Sequence, residues 1–199
     1  MTIQTIESVS LANIRTAIKN QYHAALAMLR FGIENCPDEL WTGGGFITPT
    51  WRIAYHALYY AHLYLMPRAE DFTPWPKHQT SIQDLDDQPS PPEIMDLIEL
   101  PHRPPQTGVP YTKAEILEYW HIVDELVDDT VDALDLAADS GFPWYPGLSK
   151  LEHQMVNLRH IEHHMAQIGA RLRERSGGTN GIDWVGSGRT PKWRVYGPE

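Results

Sequence analysis

The chain carries a single cysteine, Cys36, so no disulfide can form within it. One thiol in 199 residues fits a reducing compartment, and the expected location is the cytoplasm. Long hydrophobic runs are also missing. No apolar stretch reaches the ~18 residues that a membrane-spanning helix needs. The N-terminus, MTIQTIESVSLANIR, has neither the basic start nor the apolar centre of a signal peptide. Positive charge is scarce, with 16 Lys and Arg against 26 Asp and Glu. A net charge of −10 repels phosphate backbones, so neither nucleic acid nor a membrane is an expected partner. Gly43, Gly44 and Gly45 are not followed by Lys-Ser/Thr and no strand precedes them, which excludes a phosphate-cradling loop. No internal repeat is evident.

What the chain does have is apolar residues at helical spacing. At 42% hydrophobic it can build a core, and its length suits one domain. A first helix is expected from Ser10 to about Asn35, with Leu11, Ile14, Ile18, Ala25, Leu29 and Ile33 on one face. Ser10 caps it and Pro37 stops it. His23, on this helix, reads as a partly buried contact residue. Asp38 to Ile47, with its three glycines, reads as a flexible link.

Thr48-Pro49 opens a second helix, apolar nearly all round, that runs to about Met66. Arg68 to Pro110 is a long Pro-rich connection with one short helix at Pro91 to Leu100. Such a connection suits a lid, a binding loop or an interface arm, and His78 and His102 read as solvated within it. Thr112 and Glu115 form a capping box for a third helix to about Ala138. Its acidic residues, Asp124, Glu125, Asp128, Asp129, Asp132 and Asp135, read as a solvated face.

GFPWYPG, from Gly141 to Gly147, is a stiff turn. Ser149 and Glu152 then cap a fourth helix with Leu151, Met155, Leu158, Met165, Gly169 and Leu172 as its core stripe. The expectation is an all-α four-helix bundle over 1–176, with one long crossing connection between helices 2 and 3 (68–110) and a tail, 177–199, packed on it.

The fourth helix also holds His160 and His164, one turn apart on one face. Imidazoles at that spacing can converge on one metal ion. His56 on the second helix is the candidate third ligand. Three histidines suit zinc or nickel, with iron, cobalt or manganese as alternatives. An open coordination position would acidify a bound water or hold a thiolate. The competing reading is a polar seam inside the bundle. His153, two turns before His160, is a candidate substrate or supporting contact, and His163 should point elsewhere. Tyr59 and Tyr60 are candidate pocket residues, and no residue stands out as the catalytic group. The Glu-x-x-His pairs of a di-iron bundle and the His-Glu-x-x-His of a zinc protease are both absent.

Trp51-x-x-x-x-His56 and the run Asn157-Leu-Arg-His-Ile-Glu-His-His-Met-Ala-Gln167 resemble the DinB-like (DinB/YfiT) metal-binding four-helix bundles. That resemblance implies a divalent metal on His56, His160 and His164, with Gln167 as a supporting residue. Met165-Ala166 stands where the family usually has Arg-Gly. Some members of the family look like transferases or isomerases that use a low-molecular-weight thiol, and members commonly pair as homodimers. Two functions are therefore expected. One is a metal-dependent enzyme, a thiol-dependent transferase or a hydrolase, acting on a small molecule. The other is a non-catalytic, metal-stabilised binding module in stress response.

Overall fold

The computed structural model describes residues 10–46, 48–80, 82–85, 108–178 and 181–189. The expected helix at Pro91 to Leu100, His102 and Trp193 lie outside these residues. The described chain is helical. Its elements are α1 (Leu11–Glu34), α2 (Asp38–Thr42), α3 (Thr50–Leu65), a 3-10 turn at Ala69–Asp71, α4 (Lys113–Ala133) and α5 (Lys150–Arg175). The one extended pairing among the described residues is an isolated antiparallel bridge between Asp139 and Ser149. No helix among the described residues is long and apolar enough to cross a membrane.

The four long helices pack in a ring. α1 lies against α4 and α5, and α3 lies against the same two helices from the other side. α3 is buried on nearly every face, from Trp51 to Leu65, as its all-round apolar sequence requires. Ser10 caps α1 through its hydroxyl, and Thr112 with Glu115 closes both halves of a capping box on α4. The Ser149 hydroxyl accepts the Glu152 amide to start α5.

Several expectations need correction. Asp38–Thr42 is a short helix, because Leu40 and Trp41 have a core to enter and the Trp41 indole donates to the Tyr111 carbonyl at 2.8 Å. The glycines that follow supply positive φ at Gly44 and Gly45. Pro49, not Thr48, occupies the cap position of α3. α4 stops at Ala133, since Leu134 turns to extended backbone and sends its side chain, with that of Leu136, into the core. Asp124 is buried, not solvated. Its carboxylate takes His23 Nδ1 at 2.7 Å and Arg189 Nε at 2.9 Å. His23 reaches Asp128 at 3.2 Å through its other nitrogen, so it serves as the expected contact residue. Met155 is exposed and contributes little to the core.

Residues 181–189 lie back over α1. Gly188 N donates to the Asn20 carbonyl, and Ile182 lies over Gly32, where an added Cβ would stand 2.9 Å from its Cδ1. The turn after α4 is held by Lys150, which is 2% exposed and donates to the carbonyls of Met66, Pro67 and Ser140. Burial lowers its pKa to about 8.

The start of the long connection packs against the helices, and His78 is not solvated as expected. Trp75 is buried and stacks on Tyr119, with ring centroids 5.0 Å apart and planes 5° from parallel. His78 is half-buried, and its Nδ1 lies 2.5 Å from the Tyr55 hydroxyl. Trp75→Ala should therefore cost about 3 kcal/mol or more, the usual loss when a packed tryptophan is truncated. Urea denaturation measures it; a change under about 0.5 kcal/mol would show that Trp75 lies outside the folded core.

Candidate metal centre

Three sequence features bring the histidines together. α3 carries His56 on the face it turns to α5, and α5 presents His160 and His164 one turn apart. The register between the two helices is set by buried amides. Asn157 Nδ2 donates to the Ala61 carbonyl at 3.1 Å, and Gln154 Nε2 donates to the Tyr64 carbonyl at 3.0 Å. Both carbonyls lie on α3, so these bonds fix how far α5 slides along it. Gln154 also accepts from the Tyr22 hydroxyl at 2.7 Å, which ties in α1.

At that register His56 Nε2 lies 2.9 Å from His160 Nε2, and His160 Nε2 lies 3.1 Å from His164 Nε2. The ligand atoms of all three fall within 4.8 Å of one another. His56 and His164 are buried and His160 is half-buried. His56 Nδ1 bonds to the Gln83 backbone carbonyl. A carbonyl only accepts, so that nitrogen carries the hydrogen and Nε2 is left as a lone pair. His164 Nδ1 bonds to Gln167 Oε1 at 2.8 Å, while the amide nitrogen of Gln167 faces His163 Nε2 at 3.3 Å. That amide orientation also puts the hydrogen of His164 on Nδ1.

Two of the three converging Nε2 atoms are therefore bare lone pairs, and in the neutral state one hydrogen, on His160, is all they can share. Burial lowers the pKa of His164 to about 4, with Gln167 opposing the shift, so its ring is neutral near pH 7. Neutral imidazoles with Nδ1 anchored and Nε2 converging are the donor set that a borderline divalent ion takes. Tetrahedral coordination at 2.0–2.1 Å would set the nitrogens roughly 3.3 Å apart. The observed spacing is a few tenths shorter, a gap that small ring rotations close.

Gln83 was not visible as a site residue. It acts through its backbone carbonyl, and no side-chain pattern announces that. Asp84 beside it is buried and accepts from the Tyr60 hydroxyl at 3.2 Å. Tyr60 itself packs on His56 and His160, with centroids 4.7 and 5.4 Å away. Tyr59 leans on Tyr60, Phe72 and His78.

His153 is a different case. Seven residues from His160, it stands about 10 Å along the helix. Its ring is fully buried among Tyr64, Phe142 and Tyr145, and neither nitrogen has a hydrogen-bond partner. His163 is exposed and its ring packs on that of His164, with centroids 4.9 Å apart, but it is not one of the three converging histidines. Cys36 is buried at the end of α1, with its thiol toward the Pro37 carbonyl at 3.5 Å. Two grooves, of about 370 and 510 Å³, lie against α1 and the tail, lined by Trp120 and Arg189 in one and Asn35 and Arg175 in the other. The histidines line neither.

Compared with known proteins, the chain matches no protein-family model, no curated protein and no solved structure.

Burial, with a smaller contribution from the Lys150 charge, lowers the His153 pKa to about 4, against 6.5 for a free imidazole. The unfolded chain therefore binds the proton first as pH falls. Stability tied to His153 is complete above pH ~6.5 and is lost between there and pH ~4. His153→Phe should be at least as stable as the parent at neutral pH, because it removes two unsatisfied nitrogens. It should also lose up to about 3 kcal/mol less on acidification across that window. Equal pH profiles for the two proteins in chemical denaturation would overturn this.

Proposed function

We propose that the chain is a DinB-like four-helix bundle, with the 68–110 segment crossing between its second and third long helices, in which His56, His160 and His164 bind one divalent ion. The ring packing of α1, α3, α4 and α5 supports the bundle. The observation that carries the metal reading is the convergence of the three Nε2 atoms, with the Nδ1 hydrogens of His56 and His164 held by Gln83 and Gln167. Zinc and nickel suit three imidazoles best, and iron, cobalt or manganese are less favoured.

The reaction we assign is a thiol-dependent transfer or a metal-assisted hydrolysis of a small molecule, carried out by a homodimer. A bound ion supplies Lewis acidity that lowers the pKa of a protic group placed on it. The chain's own part is to hold the ligands neutral, to orient His56 through Gln83 and His164 through Gln167, and to keep bulk water from the ring edges. Tyr60 and Asp84 line one side.

A second reading has one observation in its favour. His56 and His164 are almost wholly buried, as in a centre that serves folding more than turnover. In that case the protein is a metal-stabilised binding module of the stress response. The two separate on whether the ion keeps an exchangeable position.

Elemental analysis of the wild type should return about one divalent ion per chain after zinc or nickel reconstitution, and none for His56→Ala/His160→Ala/His164→Ala. Zinc at a hundred times its dissociation constant should stabilise the wild type by about 2.7 kcal/mol and raise Tm by roughly 5–10 °C. His160→Ala should keep its helical circular dichroism and lose the zinc response. Absence of stoichiometric metal in the reconstituted wild type would leave the histidines as part of the polar seam and remove the metal-dependent function.

A further inference from the structure

His163 stands outside the three converging rings, yet it is joined to one of them. Gln167 follows His163 by four residues and His164 by three, so on α5 its side chain reaches both. The amide nitrogen of Gln167 lies 3.3 Å from His163 Nε2, and its Oε1 lies 2.8 Å from His164 Nδ1. His164 in turn presents its Nε2 to that of His160, 3.1 Å away. The row runs from an exposed ring, through a half-buried amide, to a buried ring.

Each contact in the row needs one hydrogen, and an amide donates only through its nitrogen. Two arrangements satisfy it. In the observed one, His163 Nε2 is a lone pair that accepts from the Gln167 amide nitrogen, Oε1 accepts from His164 Nδ1–H, and His164 Nε2 is bare. Turning the amide over reverses both bonds. His163 Nε2–H then donates to Oε1, the amide nitrogen donates to His164 Nδ1, and the hydrogen of His164 moves to Nε2. In that second arrangement His164 cannot take an ion through Nε2, because the lone pair that would bind is occupied. The inner end does not choose between the two, since the contact between His160 and His164 is satisfied by a hydrogen from either ring. Both rings of the row stay neutral throughout, and only the positions of the hydrogens change.

We propose that His163 is a positioning residue for the three-histidine centre: acting through the Gln167 amide, it sets which nitrogen of His164 carries the hydrogen, and so whether His164 can ligate. The consequence for ligation rests on the metal reading, while the relay itself rests on the row of hydrogen bonds. A neutral histidine at position 163 can either accept or donate through Nε2, so the native row can settle into the ligating arrangement as an ion arrives. A side chain there that only accepts holds that arrangement in advance. One that only donates turns the amide over, and binding an ion then sets two donors or two acceptors face to face. Hydrogen-bond partners one step out from a metal ligand are commonly worth roughly 10–100-fold in metal affinity. The exposed ring thereby governs a nitrogen that solvent barely reaches.

Full-length wild type, His163→Glu and His163→Lys separate the two arrangements, because a carboxylate only accepts and an ammonium only donates. In the metal-free proteins at about pH 8, the ring-nitrogen chemical shifts of His164 report which nitrogen carries the hydrogen. Zinc affinity is then measured in about 1 M salt, where a screening length of ~3 Å removes the through-solvent effect of the new charge. The expected result for His163→Glu is a hydrogen on His164 Nδ1 and zinc affinity within about threefold of the wild type. For His163→Lys it is a hydrogen on Nε2 and zinc binding weaker by roughly tenfold or more. Adding Gln167→Glu to His163→Lys supplies a carboxylate that accepts from both sides, and zinc affinity should return to within about threefold of the wild type. The same His164 tautomer in His163→Glu and His163→Lys would overturn the relay. So would a zinc loss in His163→Lys that the second substitution does not rescue, because charge alone would then account for it. A wild type that takes up neither zinc nor nickel would overturn the metal reading and the ligand role of His164 with it, and the metal-free tautomers distinguish that failure from failure of the relay.

Discussion

The arrangement depends on two buried amides. Asn157 and Gln154 sit on the face that α5 turns to α3, and each gives its hydrogen to a carbonyl of that helix. The Ala61 carbonyl lies inside α3 and accepts the Asn157 amide through its remaining lone pair, while the Tyr64 carbonyl lies in the last turn, where the helix supplies no N–H, and the Gln154 amide fills that place. Apolar packing between two helices tolerates small slides, because one methyl group replaces another. Two directional bonds separated by about one turn do not. A slide of one residue along the axis, about 1.5 Å, would leave both amides unpaired in a dry interior, at a cost of about 1–3 kcal/mol each. That penalty keeps His56 opposite His160 and His164.

The same seam explains why α5 looks so polar for a core helix. Gln154, Asn157, His153 and His164 are all buried, and each is treated differently. The amides are paired with backbone. His164 is paired with Gln167 on one side and turned to the other histidines on the other. His153 is left without partners, sealed by three aromatic rings. The polar seam and the three-histidine cluster are therefore not competing descriptions. The first sets the register, and the second depends on it.

Around this axis the chain fastens its connections in ways that shape the site. Lys150 binds the carbonyls at the end of α3 and in the following turn. Trp75 and His78 pack into the aromatic cluster of Tyr55, Tyr59 and Tyr119 and so fix where the chain leaves for residues 82–85. Those residues return to α3 through Gln83 and Asp84. A segment rich in proline and polar residues thereby becomes part of the wall of the centre, because its few aromatic and acidic side chains find partners on α3 and α4.

The sequence by itself determined the four long helices and the identity of the clustered histidines. Caps are local chemistry: Ser10, Thr112 and Ser149 need only the next three residues to act. An i, i+4 pair such as His160 and His164 is on one face in any helix, and His56 on the second long helix is the histidine the sequence offers as third member. What the tertiary structure decided is everything that acts across distance. The burial of Asp124 depends on His23 and Arg189, 101 and 65 residues away respectively; the tautomer of His56 depends on the Gln83 carbonyl; and the place of Asp84 depends on Tyr60. A backbone carbonyl has no residue type, and a solvated aspartate and a buried one are spelled alike. Periodicity records which face a residue occupies, while its partner is set only when another part of the chain arrives there.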